Sequence, residues 1–516
     1  MPEGGPKDET PPNMVSSTPI HEQLNYTDKI IKIEFDEFIQ LKEPEKQILI
    51  TPRLTEKPEF TVNKKTLTIK INEELQANTT YSLNFREAVQ DVTERNPARN
   101  LKLAFSTGDI IDTLYIKGSI FDLFTQKPIK DAVVALYQEN DTTNILNSPP
   151  SYLTLTDENG YYSIDNLKSD LYKIYSITDK NSNSVLEYKN EKYGFISQPI
   201  KLDSSINNVD ISLYNNDKRP LNLISARTTG KYFVAKYNKG LKSISIQPDT
   251  IPLIIEKPDI NTIKFYNNHS FDSIQTIITA MDSSQNMSVD TIYVKFTESP
   301  RKSDPYQLNV KTNNIIIGKW LLESVLTFNK PTQSINQDSI YIKVDSLITI
   351  NRDSMNLEWL NNHQLKITTT LKNYLNDSTD LTLIKFNIGK KAFVSVEADT
   401  SDKVQTKLIF KKSQDFGTIE VAVKTDKPSY IIQITDNNLK VIREIKNINK
   451  YTFSQLEPST YKIRVLIDNN NNGEWELGDI TKNTQPEEIY IYSNDEGIEE
   501  IPLRANFILG PLQLVF

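Results

Sequence analysis

The chain has 516 residues, of which 37% are hydrophobic and 24% are charged, and its net charge is −8. This length gives roughly three to four domains, or more if each domain is a small β-sandwich. Lys and Arg are dispersed along an acidic chain, which argues against a nucleic-acid-binding protein. Cysteine is absent, which excludes thiolate catalysis, cysteine metal sites and a disulfide between sheets. No apolar run approaches the roughly 20 residues that span a bilayer.

Residues 1–15 form the first predicted segment. Their Pro- and Gly-rich start, with Gly4, Gly5 and Pro6, is typical of a flexible, extended tether. No signal peptide precedes Pro2. We expect that an upstream export segment originally preceded this tether, and a native cytoplasmic start is the alternative.

Residues 16–112 predict one β-sandwich, because residues 30–36 and 66–71 alternate apolar and polar side chains. The segment resembles the bacterial Ig-like domain first recognised in S-layer proteins. The resemblance rests on five features in family order: Pro19, the Phe35-Asp36-Glu37 strand, the turn at 77–81, Asp91 with Asn96, and the closing Phe105-Ser106-Thr107.

Residues 113–215 predict a sandwich of another kind. Asp157-Glu158-Asn159-Gly160 is typical of a tight hairpin turn, since Asn-Gly readily takes positive φ. The order of strands around this turn is similar to the carboxypeptidase-regulatory-like, transthyretin-like domain. That resemblance implies a small sandwich without catalytic activity.

The rest of the chain extends the same architecture. Residues 167–187 align without a gap to residues 456–476, so that Tyr172 and Asp179 recur as Tyr461 and Asp468. The sequence therefore predicts an all-β fold, a tandem array of about five sandwiches. After the first two, these are a spacer sandwich at 216–300, a second, degenerate Ig-like domain at 301–412, a second transthyretin-like domain at 413–505, and an apolar tail at 506–516. The tail either closes the last sandwich, which we favour, or adds an edge strand to a partner.

The candidate metal site lies in the loop 468–479. Asp468, Asn470, Asn472, Gly473 and Asp479 stand at the positions of an EF-hand-type calcium loop, where alternate oxygens point inward and Gly allows the turn. Glu474 would offer its backbone carbonyl. The flanking residues 461–467 alternate like a strand, so the pattern predicts a calcium-binding β-hairpin loop. Its affinity would be that of extracellular modules, roughly 10⁻⁴ to 10⁻³ M.

The alternative for this loop is an Asn-rich turn that needs no metal. The matching loop at 179–190 favours that alternative, because it carries Ser184 at the Gly position and Asn190 at the closing position. We therefore expect the earlier copy to lack both the closing charge and the hinge.

Catalytic motifs are absent from the sequence. His21, His269 and His363 fall in different predicted sandwiches, and no nucleophile elbow or phosphate loop occurs. Asp36 and Glu37 point to opposite faces of a strand, so they do not make an acid–base pair. Trp320, Trp359 and Trp475 are interpreted as packing residues. We expect a protein that is not an enzyme.

Taken together, the Pro-Gly leader, the two kinds of sandwich and the Asp-x-Asn-x-Asn-Gly loop resemble the Ig-like-domain lipoproteins of Bacteroidota. This resemblance implies an outer-membrane lipoprotein on the periplasmic or cell-surface side, held by a lipid anchor that this sequence lacks. It implies a scaffold or interaction subunit with an outer-membrane barrel protein as partner, for example in barrel assembly, secretion or uptake. The alternative is a surface protein that binds carbohydrate or peptidoglycan.

Overall fold

Short strands with alternating buried and exposed residues build the whole chain. The computed structural model describes residues 9–248, 253–267, 273–297 and 304–516. Most of the predicted tether, residues 1–8, and His269 lie outside these ranges. The chain divides into two compact units. Unit 1 contains the residues up to Asp217 together with Pro428–Tyr430 and Leu466–Tyr490, and unit 2 contains Lys218–Lys427, Ile431–Val465 and Ile491–Phe516.

The first sandwich begins at Met14, so residues 14 and 15 belong to a strand and not to the predicted tether. Its sheets have the orders β1-β2-β6-β5, β4-β7-β9 and β3-β8. Ile33, Leu67 and Phe105 are fully buried between the sheets. The elements are β1 Met14–Thr18, β2 Ile30–Phe35, β3 Ile39–Leu41, the helical turn α1 Pro44–Gln47, β4 Leu49–Thr51, β5 Glu59–Asn63, β6 Thr66–Lys70, β7 Thr80–Asn84, β8 Val89–Asp91 and β9 Lys102–Ser106.

The second sandwich pairs a three-stranded sheet, β13-β10-β17, with a five-stranded sheet, β12-β11-β14-β15, in which β16 also pairs with β14. Its last strand lies parallel to its first. The core between the sheets includes Ile120, Val134 and Tyr172. The strands are β10 Leu114–Asp122, β11 Val133–Gln138, β12 Tyr152–Leu155, β13 Tyr161–Leu167, β14 Leu171–Ile177, β15 Tyr193–Phe195, β16 Ile200–Lys201 and β17 Ile211–Leu213.

The third sandwich packs the sheet β18-β19-β22-β21 against β20-β23-β24. Phe233, Phe265 and Ile278 lie in its core. Among the described residues its strands are β18 Leu223–Thr229, β19 Tyr232–Tyr237, β20 Leu241–Gln247, β21 Leu253–Asp259, β22 Thr262–Asn267, β23 Ile274–Asp282 and β24 Met287–Val294.

The fourth sandwich repeats the strand order of the first. Its sheets β25-β27-β32-β31, β29-β33-β35 (extended by β30) and β28-β34 correspond to β1-β2-β6-β5, β4-β7-β9 and β3-β8. Phe328 ends β27 as Phe35 ends β2. The elements are β25 Leu308–Thr312, β26 Ile315–Ile316, β27 Leu321–Phe328, β28 Thr332–Ile335, β29 Ile340–Lys343, β30 Thr349–Ile350, β31 Asn356–Asn361, β32 Gln364–Thr370, β33 Lys385–Ile388, β34 Phe393–Ser395, β35 Val404–Lys407 and β36 Phe410–Lys411. Single 3-10 turns lie at Gln337–Ser339, Arg352–Ser354, Lys372–Tyr374, Leu381–Leu383 and Ser413–Asp415.

The fifth sandwich has the strand order of the second throughout, with sheets β40-β37-β44 and β39-β38-β41-β42, and β43 pairing with β41. Tyr172 and Tyr461 each donate a hydrogen bond to the carbonyl four residues earlier, at Lys168 and Glu457. The strands are β37 Gly417–Lys424, β38 Ser429–Thr435, β39 Val441–Lys446, β40 Lys450–Leu456, β41 Ser459–Asp468, β42 Ile489–Ile491, β43 Ile501–Leu503 and β44 Ile508–Val515.

The apolar segment at 506–516 therefore belongs to the fifth sandwich and is not a separate tail. Its strand β44 lies parallel to β37 and buries Leu514, as β17 lies parallel to β10. The predicted all-β tandem array of sandwiches is confirmed. Within the described parts of the chain, no helix is long and apolar enough to cross a membrane.

Candidate functional site: two matching Asp-Asn loops

The predicted calcium loop leaves the end of β41 inside unit 1. Asp468, the last residue of that strand, is 1% exposed. Its carboxylate accepts the backbone N–H groups of Gly473 at 2.9 Å and of Asn472 at 3.2 Å. Burial disfavours the charged carboxylate, but these hydrogen bonds outweigh it and lower the pKa of Asp468 below its ordinary value. The buried charge thus organises the loop.

The two asparagines continue the same turn chemistry. Oδ1 of Asn470 accepts the N–H of Asn472, and Oδ1 of Asn472 accepts the N–H of Glu474, both at 2.9 Å. Nδ2 of Asn470 donates to Glu476 at 2.9 Å. Gly473 has φ +87°, a left-handed conformation that a side chain would strain. The structure therefore brings Asp468, Asn470 and Asn472 together, as the sequence predicts, while the Glu474 side chain is exposed.

The acid that closes this loop is Glu487, which the sequence analysis missed. Its Oε1 accepts the N–H of Asn469 at 2.8 Å, and its Oε2 accepts the N–H of Glu476 at 2.9 Å. Asp479 lies in the next turn instead, where its Oδ1 accepts both the N–H and the hydroxyl of Thr481. Both acids are buried.

The earlier loop repeats this network residue by residue. Oxygens of Asp179 accept the N–H groups of Asn183 at 3.2 Å and Ser184 at 2.7 Å, as Asp468 does for its own loop. Asn181 donates to Glu187 at 2.7 Å. Ser184 has φ +57° and takes the conformation of Gly473. The loop 179–190 therefore has the positive-φ residue that the sequence analysis expected it to lack.

The closing charge is also present in the earlier loop, at Glu191. Its Oε1 accepts the N–H of Lys180 at 2.9 Å and its Oε2 that of Glu187 at 2.7 Å. Burial raises the pKa of this carboxyl above its ordinary value. Glu191 follows Asp179 by 12 residues, whereas Glu487 follows Asp468 by 19. An alignment without gaps hides this equivalence, and only a search for a Glu after a variable insert would have found it.

The segment Leu466–Tyr490, which carries the later loop, packs onto the second sandwich within unit 1. Trp475, Leu477 and Ile480 pack against a core cluster that includes Tyr193 and Phe195. The Trp475 ring meets the ring of Phe124 edge-on, with centroids 5.6 Å apart. Trp475 is thus a packing residue.

Three side-chain amides fasten the same segment to the second sandwich. Asn216 donates to the carbonyl of Gly478 at 2.8 Å, Gln485 to that of Phe195 at 2.7 Å, and Asn483 to that of Ser197 at 2.7 Å. A Cβ at Gly478 would lie 2.3 Å from the Tyr214 hydroxyl, so this close approach requires glycine. The fit is specific in shape as well as in hydrogen bonding.

The chemistry of the loop suits a hard cation but does not require one. Asp468, Asn470, Asn472 and Glu487 present carboxylate and amide oxygens, the ligands that Ca²⁺ prefers, and these residues would hold it. The same oxygens already accept the N–H groups of the loop. Calcium at this loop stays a prediction. Across the described ranges, no three His, Asp or Glu side chains converge as metal ligands.

The other described candidate residues belong to the first and fourth sandwiches. His21, in the first sandwich, accepts the N–H of Ala104, and His363 lies in the fourth sandwich. Asp36 accepts hydrogen bonds from Asn13. Trp320 packs near Phe410, with ring centroids 6.3 Å apart. Trp359 lies near Phe328, with ring centroids 6.0 Å apart.

Comparison with known proteins identifies one part of the chain. Residues 8–107 match the family described as Bacterial Ig-like domain. The described part of this stretch contains all strands of the first sandwich, and the match agrees with the resemblance seen in its strands and turns. No curated protein matches the chain.

Several solved structures match the chain at low identity. The major pilin subunit BcpA of Bacillus cereus has 11% identity and a TM-score of 0.15, over 78% of this chain and 99% of that one. Surface layer protein SbsC has 10% identity and a TM-score of 0.15, over 95% and 68%. A Bacteroides ovatus mixed-linkage glucan utilization protein, SGBP-B, has 11% identity and a TM-score of 0.15, over 63% and 82%. Similarity at this level supports no statement about function.

Proposed function

We propose that this protein is a non-catalytic scaffold and interaction subunit of a cell-envelope complex, held at the outer membrane by a lipid anchor. The observation that carries the proposal is the packing of Leu466–Tyr490 onto the second sandwich. In a simple tandem array, each sandwich would be built from one continuous stretch of the chain. Within unit 1, a segment that begins 250 residues after Asn216 (466 − 216 = 250) packs against the core of an earlier sandwich, which suits a unit that must stay folded while partners bind.

An apolar row on the third sandwich supports the interaction role. Met287, Val289 and Tyr293 alternate along the outer face of the edge strand β24 and are 63%, 66% and 61% exposed. Exposed apolar patches on soluble domains mark protein contact sites. The occupant that the proposal assigns to this face is an integral outer-membrane barrel protein.

The test is affinity purification of the full-length lipoprotein from detergent-solubilised native membranes. We expect an integral barrel protein to co-purify in a fixed ratio, and the double variant Val289→Glu, Tyr293→Glu to lose it. The matched control is Ser243→Glu with Ser245→Glu, which places the same charges on the exposed positions of β20, another strand of that sheet. Recovery of the wild-type protein alone would contradict the proposal.

A cleft in the fourth sandwich favours carbohydrate binding as the second candidate. It has a volume of about 640 Å³, and its mixed lining includes the polar side chains of Gln307, Asn309 and Asp402. Such groups suit sugar hydroxyls, but Tyr306 and Phe328 in the same lining are buried and present no open ring face for stacking. Binding on a glycan array that is lost in Asn309→Ala would establish this candidate in place of the scaffold.

A further inference from the structure

A buried lysine of the fourth sandwich contacts two carboxylates at once. Lys330 follows β27, and its side chain is 6% exposed. Its Nζ lies 2.7 Å from Oε2 of Glu397 and also contacts Oδ2 of Asp399. The side chain of Glu397 is 2% exposed. All three groups lie in unit 2, and two of them are removed from water.

The turn that carries both acids is held rigidly. The hydroxyl of Ser395, a buried residue, accepts the N–H groups of Glu397 and Asp399, and the N–H of Ser395 donates to the carbonyl of Asp399. Lys231 donates to the backbone carbonyl of Glu397 at 3.0 Å. The carboxylates therefore face Lys330 with little freedom to move away.

One carboxylate oxygen of Glu397, Oε1, is available to accept a proton. Its Oε1 is buried and has no hydrogen-bond partner in the described structure. A buried carboxylate oxygen without a partner is costly for a purely structural ion pair. Burial works against the Lys330 ammonium, but its hydrogen bonds with Asp399 and Glu397 outweigh this and raise the pKa of Lys330, so this side chain rests as the ammonium.

We propose that Lys330 and Asp399 condense to an amide that cross-links the two turns, with Glu397 as the proton carrier. The ammonium gives a proton to Glu397, and the free Nζ attacks Cγ of Asp399. A C–N bond forms, one C–O bond breaks, and the oxygen leaves as water with two protons from the former ammonium. The net charge of the triad is unchanged and no oxidant or other reactant is needed.

Proximity supplies the driving force for this step. Amides hydrolyse in dilute solution, but groups held in contact reach effective molarities of roughly 10⁵ to 10⁸ M. A positioned acid–base group adds further acceleration. Asp399 is 30% exposed, which gives the released water a path out. The bond would close a loop between residues 69 positions apart, in a chain without disulfides.

Two other sites in the chain act as internal comparisons. The strand β2 of the first sandwich corresponds to β27 of the fourth. Two residues after the end of β27 the chain has Lys330, but two residues after the end of β2 it has Glu37, so the first sandwich lacks the amine. In the third sandwich, Lys239 contacts Asp282 and both are buried. The oxygens of Asp282 already accept hydrogen bonds from Ser284 and Asn286. We expect no cross-link at either place.

The experiment is intact-mass measurement of the purified full chain, followed by fragment sequencing. We expect the wild-type mass to be lower than the sequence mass by one water, and fragments containing Lys330 and Asp399 to remain joined. Asp399→Asn should lose one ammonia instead, because the leaving group changes. Glu397→Gln should show the sequence mass although the amine and the acid are both present.

Controls separate chemistry from folding. Lys330→Arg keeps the positive charge, and its circular dichroism should match the wild type while its mass equals the sequence mass. Fragments containing Lys239 and Asp282 should be unjoined. A wild-type chain at its full sequence mass would overturn the proposal, as would a mass loss that lies within a single fragment and joins nothing.

Discussion

At the scale of the residue, the acids of the two matching Asp-Asn loops act mainly as acceptors for backbone N–H groups. Asp468 and Asp179 each fold a loop around one carboxylate, and Glu487 and Glu191 close those loops from the other side. The pKa of the buried Asp468 carboxyl is lowered because the loop supplies the hydrogen bonds that water would otherwise make, whereas burial raises the pKa of Glu191. These residues are structural in the first instance, whatever else the loops bind.

Replacing Asp468 by Asn should reduce stability in a pH-dependent way. The folded-state pKa of Asp468 is lowered, so its contribution is complete above the unfolded pKa near 3.9 and is lost as pH falls through the folded value. We expect a loss of about 1–3 kcal/mol at pH 7 that shrinks below about pH 4. Urea unfolding of wild type and D468N at pH 7 and pH 3 measures this. An equal difference at both values would contradict it.

Calcium binding is tested with the same residues. If the loop takes Ca²⁺ with extracellular-type affinity, millimolar calcium should raise Tm by a few degrees. Asp468→Asn and Glu487→Gln should abolish the rise, and Asp479→Asn should leave it, because the Asp479 carboxylate accepts hydrogen bonds from Thr481 in the next turn. No heat in calorimetry and no change in Tm would end the calcium prediction.

At the scale of the element, strand order is what the paired sandwiches share. The second and fifth sandwiches agree in every strand, including the parallel pairs β10–β17 and β37–β44. The first and fourth agree in their three main sheets. Side chains vary widely between the copies, but the pleat fixes which positions face the core. Topology therefore preserves a repeat that the residues show only faintly.

Substitution of Gly478 by Ala should loosen the segment Leu466–Tyr490. The new Cβ would lie 2.3 Å from the Tyr214 hydroxyl and 2.6 Å from the backbone N of Pro486, and overpacking of this kind costs about 1–3 kcal/mol. Limited proteolysis should cut this segment faster in G478A. The control is Gly473→Ala, whose Cβ meets nothing within 4 Å. Gly473→Ala strains only the turn that contains it. The hydrogen bonds of Gln485 with Phe195 and of Asn216 with Gly478 should therefore persist.

At the scale of the whole molecule, unit 1 is built from distant parts of the chain. The stability of unit 1 depends on segments that are far apart in sequence, because Trp475 and Leu477 pack against a core cluster that includes Tyr193 and Phe195. Cleavage of the chain between these segments should therefore not separate the two fragments.

Cleavage at an engineered protease site between Asp217 and Lys218 tests this organisation. We expect the two fragments to elute together in size-exclusion chromatography, since the segment Leu466–Tyr490 of the second fragment packs on the second sandwich. The same cut in a chain carrying Trp475→Ala and Gly478→Ala should release them. Separation of the wild-type fragments without denaturant would show that the docking is too weak to organise the unit.

The sequence alone determined the fold class, because strand alternation and turn residues are local properties. It also determined the Asp468, Asn470 and Asn472 arrangement, since an Asx turn needs only residues within a few positions of each other. The bacterial Ig-like domain at the start was visible in the same way.

Only the tertiary structure decided which distant groups meet. Glu487 and Glu191 close equivalent loops across inserts of different length, and Lys330 reaches Glu397 and Asp399 through strand pairing between β28 and β34. The tertiary structure also packed Trp475 against the core cluster of the second sandwich. Contacts of this kind depend on how the whole chain folds back, and no local pattern encodes a distance between residues that are far apart in sequence.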